Sequence, residues 1–404
     1  MLSVRSQSNS TSGPSGEPLR VLVVGYNTRH IVCSAKRAGF YVESVSHYED
    51  SDLIKCGDVT HFIREECPRA ITDTYYGSLK ALVRGISYDQ AILATGFETL
   101  DIPRVVGNPR SLSSFVNDKD GLRDKLESLD FPVPQNFDLE DNLSFPVILK
   151  PKRGAGGFRN VLVRDKEQLM RSIESYHENG WDDFLLQEYV QGIDASASVL
   201  STGKQALTIA INEQLVGRRN LGPVRRFSFC GSVTPLRTSF AREIEEISNS
   251  IATAFGLVGT NGIDFIIGKN GPVIIEINPR FQGTLDTIEG AVGINLVEAH
   301  IRSCQGELVP HARYSRFACR MIYFAEHDFY VSKTCNDSNY MDIPRKGTFI
   351  ECAKPVISAM GYGKSRDCAY NNALYYIEAA KRHVGAERST SLPGDEYVSR
   401  YKTL

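Results

Sequence analysis

With 404 residues the chain is longer than one hydrophobic core usually serves, so two or three domains are expected. Its 42% hydrophobic and 23% charged content is that of a globular protein and excludes a wholly unfolded chain. A net charge of −2 argues against a nucleic-acid partner, and no apolar run approaches the roughly 20 residues that cross a bilayer, so no membrane role is expected.

The first 18 residues are rich in Ser and Gly and have no apolar signal core, with only Arg5 and Arg20 basic nearby. They read as a disordered tail, and a cytoplasmic location is expected. Residues 19–25 form a short apolar strand ending in Gly25, residues 28–38 a helix stopped by Gly39, and residues 41–46 a second strand, which together make a βαβ opening. Residues 88–96 read as a later parallel strand. Gly25 stands alone where a dinucleotide site would need GxGxxG, which disfavours an NAD-dependent oxidoreductase. A helix capped by Asn117 or Asp118 places Lys119 in its first turn, where a cation is either incidental or aimed at an anion.

A strand ending at Lys150-Pro151 runs into a loop containing Gly154, Ala155, Gly156 and Gly157, then into strand 161–163. Such a tip is either an ordinary hairpin or one whose backbone N–H groups close on phosphates. A helix at 166–178 leads to Gln187-Glu188-Tyr189-Val190, a strand becoming a linker of the kind whose backbone pairs with a purine. Asp194 beyond it is either a turn cap or an acceptor for ribose hydroxyls. Residues 217–226 form a loop with Arg218, Arg219, Arg225 and Arg226, which either holds an anionic substrate group or is a solvated charged loop.

An amphipathic helix at 242–255 precedes the most informative stretch. Glu276 and Asn278 are two residues apart in an apolar strand, so their side chains share a face. Asp264 lies in the preceding strand, and Lys269-Asn270-Gly271 is a tight turn that would set it beside Glu276. Two carboxylates and an amide carbonyl form a hard oxygen site of the type Mg²⁺ uses when it also holds phosphates, with the Arg280 cation just beyond. Further helices begin at Ile294 and Ser365, and short strands lie at 317–324, 348–352 and 355–358. Nine cysteines occur without a CxxC pair, so reduced, mostly buried thiols are predicted, with neither a zinc site nor a disulfide frame.

Taken in order, Asn108-Pro109, Asp118-Lys119, Leu149-Lys150-Pro151 with its Gly-rich loop, Gln187 to Gly192 with Asp194, Gly262 to Phe265, and Ile275-Glu276-Ile277-Asn278-Pro279-Arg280 resemble the ATP-grasp superfamily of carboxylate–amine and carboxylate–thiol ligases. The resemblance covers roughly residues 19–385, and more faintly the tail resembles biotin-carboxylase-related members. It implies an α/β, ATP-grasp fold: a disordered tail (1–18), an N-terminal Rossmann-like pre-ATP-grasp domain (19–110), an ATP-grasp domain (111–310) with a lid subdomain near 145–195, a small C-terminal β-rich subdomain (311–385) and a polar tail (386–404).

The resemblance also implies roles. Lys119 and Lys150 contact ATP phosphates, and Gly154, Ala155, Gly156 and Gly157 close over them. Gln187, Glu188, Tyr189 and Val190 meet adenine, and Asp194 takes the ribose. Asp264, Glu276 and Asn278 hold Mg²⁺ or Mn²⁺. Arg280, with Lys150, stabilises charge on the transferring phosphoryl group. Arg218, Arg225 and Arg226 are substrate candidates. The expected activity is ATP-dependent joining of a small-molecule carboxylate to an amine through an acyl phosphate. The alternatives are a catalytically silent ATP-binding module and carboxylase-type use of bicarbonate. Family members are often homodimers. Two departures stand out: a short Gly-rich loop flanked by Arg153 and Arg159, and Asp264 where many members carry Glu or Gln.

Overall fold

The computed structural model describes residues 16–63, 73–152, 157, 159–310 and 313–384. Near the N-terminus, β1 (Arg20–Val24), α1 (Arg29–Arg37), β2 (Tyr41–Ser46), α2 (Ser51–Cys56), β3 (Val59–Phe62), α3 (Asp73–Arg84) and β4 (Gln90–Leu93) build a parallel sheet in the order β3-β2-β1-β4. Val21 to Val24 are fully enclosed, as expected of a strand covered on both faces. The strand order reverses between β1 and β4, and the loops leaving them lie side by side. A Cβ at Gly25 would stand 2.6 Å from the Ala94 Cβ, so only glycine allows that approach.

Next come α4 (Arg110–Val116), which the sequence pattern does not reveal, and α5 (Lys119–Glu127), whose first turn is capped by the Asp118 side chain. Strands β5 (Asn136–Phe137), β6 (Val147–Pro151) and β7 (Val161–Val163), helix α6 (Lys166–Glu178) and β8 (Phe184–Glu188) form a small antiparallel layer in the order β5-β8-β6-β7. Helix α6 turns Leu169, Ile173 and Tyr176, spaced by four and three residues, onto Val147, Leu149 and Leu186 of that layer.

The main sheet has eight strands. Its members are β9 (Ile193–Thr202), β10 (Ala206–Val216), β11 (Phe229–Thr234), β12 (Val258–Gly268) and β13 (Gly271–Asn278), followed by β14 (Phe317–Phe324), β16 and β18. Helices α7 (Ala241–Ala254), α8 (Leu285–Val292) and α9 (Leu296–Cys304) cover it. Two-residue strands β15 (Phe329–Tyr330) and β17 (Phe349–Ile350) pair with each other beside β16 (Tyr340–Met341) and β18 (Pro355–Gly363), and α10 (Arg366–Val384) closes the chain. The C-terminal β segment is therefore continuous with the sheet built by β9 to β13, in the order β13-β12-β9-β10-β11-β14-β18-β16.

Alternation along the strands separates two faces. Ala195, Ala197, Val199, Ile263, Phe265, Ile274 and Ile277 pack with α7 in one core. The opposite face carries Ser196, Ser198, Asn212, Gln214, Asp264 and Asn278, joined by hydrogen bonds. The N-terminal layer docks through a buried ionic cluster. Arg29 makes a bidentate pair with Asp286 of α8 (2.9 and 2.6 Å) and donates to Asp342 (3.0 Å), while Arg320 bonds Asp342 from the other side.

One expectation is corrected. Cys33 and Cys56 are joined in a disulfide with Cα atoms 5.2 Å apart, because α1 and α2 pack against each other and bring together residues 23 apart in sequence. A search for CxxC spacing does not register such a pair. Of the other described cysteines, Cys230, Cys319 and Cys335 are buried, and Cys352 and Cys368 are exposed. Among the described residues no helix is long and apolar enough to cross a membrane.

Candidate active site

The turn at Lys269-Asn270 starts the hairpin, and a β-bulge between Asp264 and Phe265 shifts its register so that Asp264 is directly opposite Glu276 and Gly262 opposite Asn278. Their face of the sheet lines a cavity of about 1280 Å³ that also receives Lys150, Gln187 to Val190, Gly192 and Asp194, Arg280, and Tyr26 and Thr95 of the N-terminal layer. One wall is therefore the small antiparallel layer, another the main sheet, and the third the reversal point between β1 and β4. In open α/β sheets that reversal point is where ligands usually bind.

Asp264 is half-buried at the cavity wall. It accepts hydrogen bonds from the side-chain amides of Gln214 (2.8 Å), Gln282 (3.2 Å) and Asn278 (3.0 Å). Burial and the neighbouring Glu276 carboxylate push its pKa up to about 7, against the opposing pull of Arg280 and the amides. Gln282 reaches it only because residue 262 is glycine: a Cβ there would lie 1.7 Å from the Gln282 carboxamide carbon. Arg280 Nη2 donates to Asn278 Oδ1 (3.0 Å). Arg280 donates its Nε to Glu98 and its Nη1 to the Phe281 carbonyl (3.1 Å).

Lys150 is 5% exposed, and its Nζ donates to Gln187 Oε1 at 2.7 Å. Burial, with Lys119 adding to it, lowers its pKa to about 8 against the pull of Glu276. Lys119 stands near Lys150 without lining the cavity, and its backbone N–H donates to the Lys152 carbonyl. Glu188 is tied to Gln135 through both its backbone N–H and its carboxylate. Gly192 passes so close to β12 that a Cβ would meet the Ile267 carbonyl at 2.3 Å, which fixes the crossing from the small layer into β9. Asp194, paired in register with Ile266, has its pKa raised by burial, and Arg218 opposes that shift.

Gly154, Ala155 and Gly156 lie outside the described residues. Gly157 has φ +66°, and a Cβ on it would be 2.2 Å from the Phe227 carbonyl, so Gly157 itself packs directly against the chain just past the basic loop. Of the arginines in that loop, Arg219 and Arg226 line the cavity, and Arg226 approaches the Tyr189 hydroxyl at 3.4 Å. Arg218 instead points to Glu213 at 3.8 Å, and neither it nor Arg225 lines the cavity. Sequence reasoning also misses Gln214, Gln282, Glu98, Tyr26 and Thr95. Gln282 alone carried a local signal, two positions beyond Arg280 in the same motif.

The donor set fits a divalent cation. Among the described residues no group of three or more His, Cys, Asp or Glu side chains gathers, but two carboxylates and an amide oxygen meet here. Burial and Glu276 disfavour the ionised form of Asp264, and a divalent cation bound between the two carboxylates would favour it again.

Residues 116–284 match the family model described as an ATP-grasp domain. The chain is 27% identical to an uncharacterized protein of Methanocaldococcus jannaschii, over 85% of this chain and 88% of that one. It is 22% identical to the carbamoyl phosphate synthase large chain of Helicobacter pylori over 49% of this chain, and the match spans only 19% of that relative's length. Among solved structures, the biotin carboxylase domain of Hydrogenobacter thermophilus 2-oxoglutarate carboxylase, in complex with MgADP and bicarbonate, superposes with a TM-score of 0.69 at 17% identity over 90% of both chains. An L-amino acid ligase from Bacillus licheniformis superposes with a TM-score of 0.64 at 15% identity, over 91% of this chain and 98% of that one.

Proposed function

We propose that this chain, which belongs to the ATP-grasp superfamily, is an ATP-dependent ligase that activates a small-molecule carboxylate as an acyl phosphate and joins it to an amine. The observation that carries the reading is the register pair Asp264–Glu276, set in one cavity with Lys150, Gln187 and Arg280. Lys150, with Lys119 near it but off the cavity wall, would receive nucleotide phosphates, and a polyphosphate would restore the Lys150 charge that burial weakens. Gln187, Glu188, Tyr189 and Val190 form the strip for adenine, and Asp194 the acceptor for ribose. Gly157, on the cavity wall, would lie over the phosphates. Asp264, Glu276 and Asn278 would hold Mg²⁺, which supplies neutralisation of phosphate charge.

In the reaction, an oxygen of the acid attacks the γ-phosphorus and ADP departs with the bond's electron pair. The amine nitrogen then attacks the acyl carbon, inorganic phosphate leaves, and the nitrogen gives up a proton. Arg280 stabilises the charge on the transferring group, and the enclosed cavity limits hydrolysis of the acyl phosphate. Arg219 and Arg226 on the wall favour an anionic substrate. The superposition on a biotin carboxylase domain with bound bicarbonate supports a second reading, in which bicarbonate is the acid.

The test is ADP release from Mg²⁺-ATP across a panel of acids, bicarbonate included, and amines. Turnover that needs both an acid and an amine is the expected result. Turnover with bicarbonate alone selects the second reading, and nucleotide binding without any turnover sinks both.

A further inference from the structure

Glu98 belongs to the N-terminal layer, yet it is bonded to the Arg280 guanidinium at the far side of the cavity. Both side chains are only 11% exposed. The loop that carries Glu98 is rigid. Phe97, 1% exposed, anchors it edge-on to Tyr76, the Phe97 N–H bonds the Ala94 carbonyl at 3.0 Å, and the Leu100 N–H bonds the Phe97 carbonyl at 2.9 Å. The Thr95 carbonyl accepts from the Tyr26 N–H (2.9 Å), which ties this loop to the one leaving β1.

Arg280 has five N–H groups, as any guanidinium does. Among the described residues three are engaged: Nε with Glu98, Nη1 with Phe281 and Nη2 with Asn278. One N–H on each terminal nitrogen remains, and Arg280 lines the cavity, so a fixed plane with two donors is offered to an anion.

A buried ion pair seldom repays its desolvation through stability alone. Docking of the N-terminal layer does not require this one, because Arg29 already binds Asp286 and Asp342 across the same boundary. We propose that Glu98 is a positioning residue for the ligase reaction: its carboxylate fixes the Arg280 guanidinium in the orientation that meets the charge on the transferring group. The proposal rests on the ligase reading above. It makes the active site incomplete without the N-terminal layer.

The experiment uses the full chain with the acid and amine found in the ADP-release panel, comparing Glu98→Ala, Glu98→Gln and Glu49→Ala. Glu49 pairs with Arg345 at an exposed point of the N-terminal layer, so its variant controls for docking. Glu98→Ala should lower kcat by about 10- to 100-fold while leaving the KM for ATP unchanged, the size expected when a reacting group is misaimed. Glu98→Gln, which keeps an acceptor for Nε, should recover most of the loss, and Glu49→Ala should match wild type. Wild-type kcat in Glu98→Ala overturns the proposal, as does an equal loss in Glu49→Ala. Should Glu98→Ala not fold, Glu98→Asp, which withdraws the carboxylate by one methylene, takes its place, and a wild-type kcat there overturns it equally. Absence of turnover in the wild-type chain is a different outcome, because it removes the ligase reading itself.

Discussion

Two buried groups of carboxylates lie in this molecule, and their surroundings push them in opposite directions. Asp286 and Asp342 lie between Arg29 and Arg320. Burial alone would raise their pKa values, but the arginines outweigh it and hold both below the ordinary carboxylate range. Asp264, half-buried at the cavity wall, is met by neutral amides and by a second carboxylate, and although Arg280 pulls the other way its pKa rises to about 7. The first pair is balanced by two arginines and joins three parts of the chain, while Asp50 and Asp52 beside it have pKa values raised chiefly by burial. The second sets two carboxylates side by side at a cavity, where burial and their mutual repulsion outweigh the pull of Arg280. Burial of an acid is thus common to both, and the identity of its partners separates a structural acid from one prepared for a cation.

The sharpest way to break this comparison is to remove one carboxylate from each group. Asp286→Asn leaves Arg29 without its bidentate partner and should cost about 3–5 kcal/mol in urea unfolding, the range for breaking a buried pair. Glu276→Ala should leave unfolding within about 1 kcal/mol of wild type but lower turnover by about 100- to 1000-fold, measured as ADP release, because it removes charge stabilisation at the reacting phosphate. If the two variants exchanged phenotypes, the assignment of roles would be reversed.

Titration sharpens the contrast. Asp286 has a lowered folded-state pKa, so its stabilisation is present above the unfolded value near 4 and is lost as pH falls through the folded one. Asp264 has a raised pKa, so its contribution is present below about 4 and is lost as pH climbs through about 7. Without metal, Asp264→Asn should therefore flatten the stability profile between about pH 4 and 7, while the acid limb from Asp286 persists. Mg²⁺ should bind wild type about tenfold more tightly per pH unit below about 7, since Asp264 must release its proton. The smallest effect concerns the basic loop: Arg226→Ala should raise the KM of an anionic substrate by about fivefold, roughly the worth of one solvated charge contact, and Arg225→Ala should not.

The hairpin was legible because most of what defines it is local. Period-two alternation and a turn at Lys269-Asn270 bring Asp264 close to Glu276; counted outward from the turn the register puts Asp264 opposite Ile275, and a β-bulge between Asp264 and Phe265, which the sequence pattern does not reveal, shifts it to Glu276. The helix boundaries of α6 and the strand β7 were legible for the same reason. What was not legible depends on distant segments meeting. Gln214 approaches Asp264 from β10, 50 residues away, and Glu98 reaches Arg280 across 182 residues. The short turn Arg219–Leu221 rotates successive side chains in different directions, so composition alone does not tell which arginine of the loop faces the cavity. The disulfide Cys33–Cys56 likewise depends on how two helices pack rather than on cysteine spacing.

The most direct test of the central claim, that the Asp264–Glu276 hairpin is a metal and phosphate site, is calorimetric titration with a non-hydrolysable ATP analogue. The wild-type chain should bind it in the presence of Mg²⁺ and lose about tenfold or more in affinity when the metal is chelated, with Glu276→Ala equally weak under both conditions. Affinity that is the same with and without Mg²⁺, or no binding at all, would contradict the account.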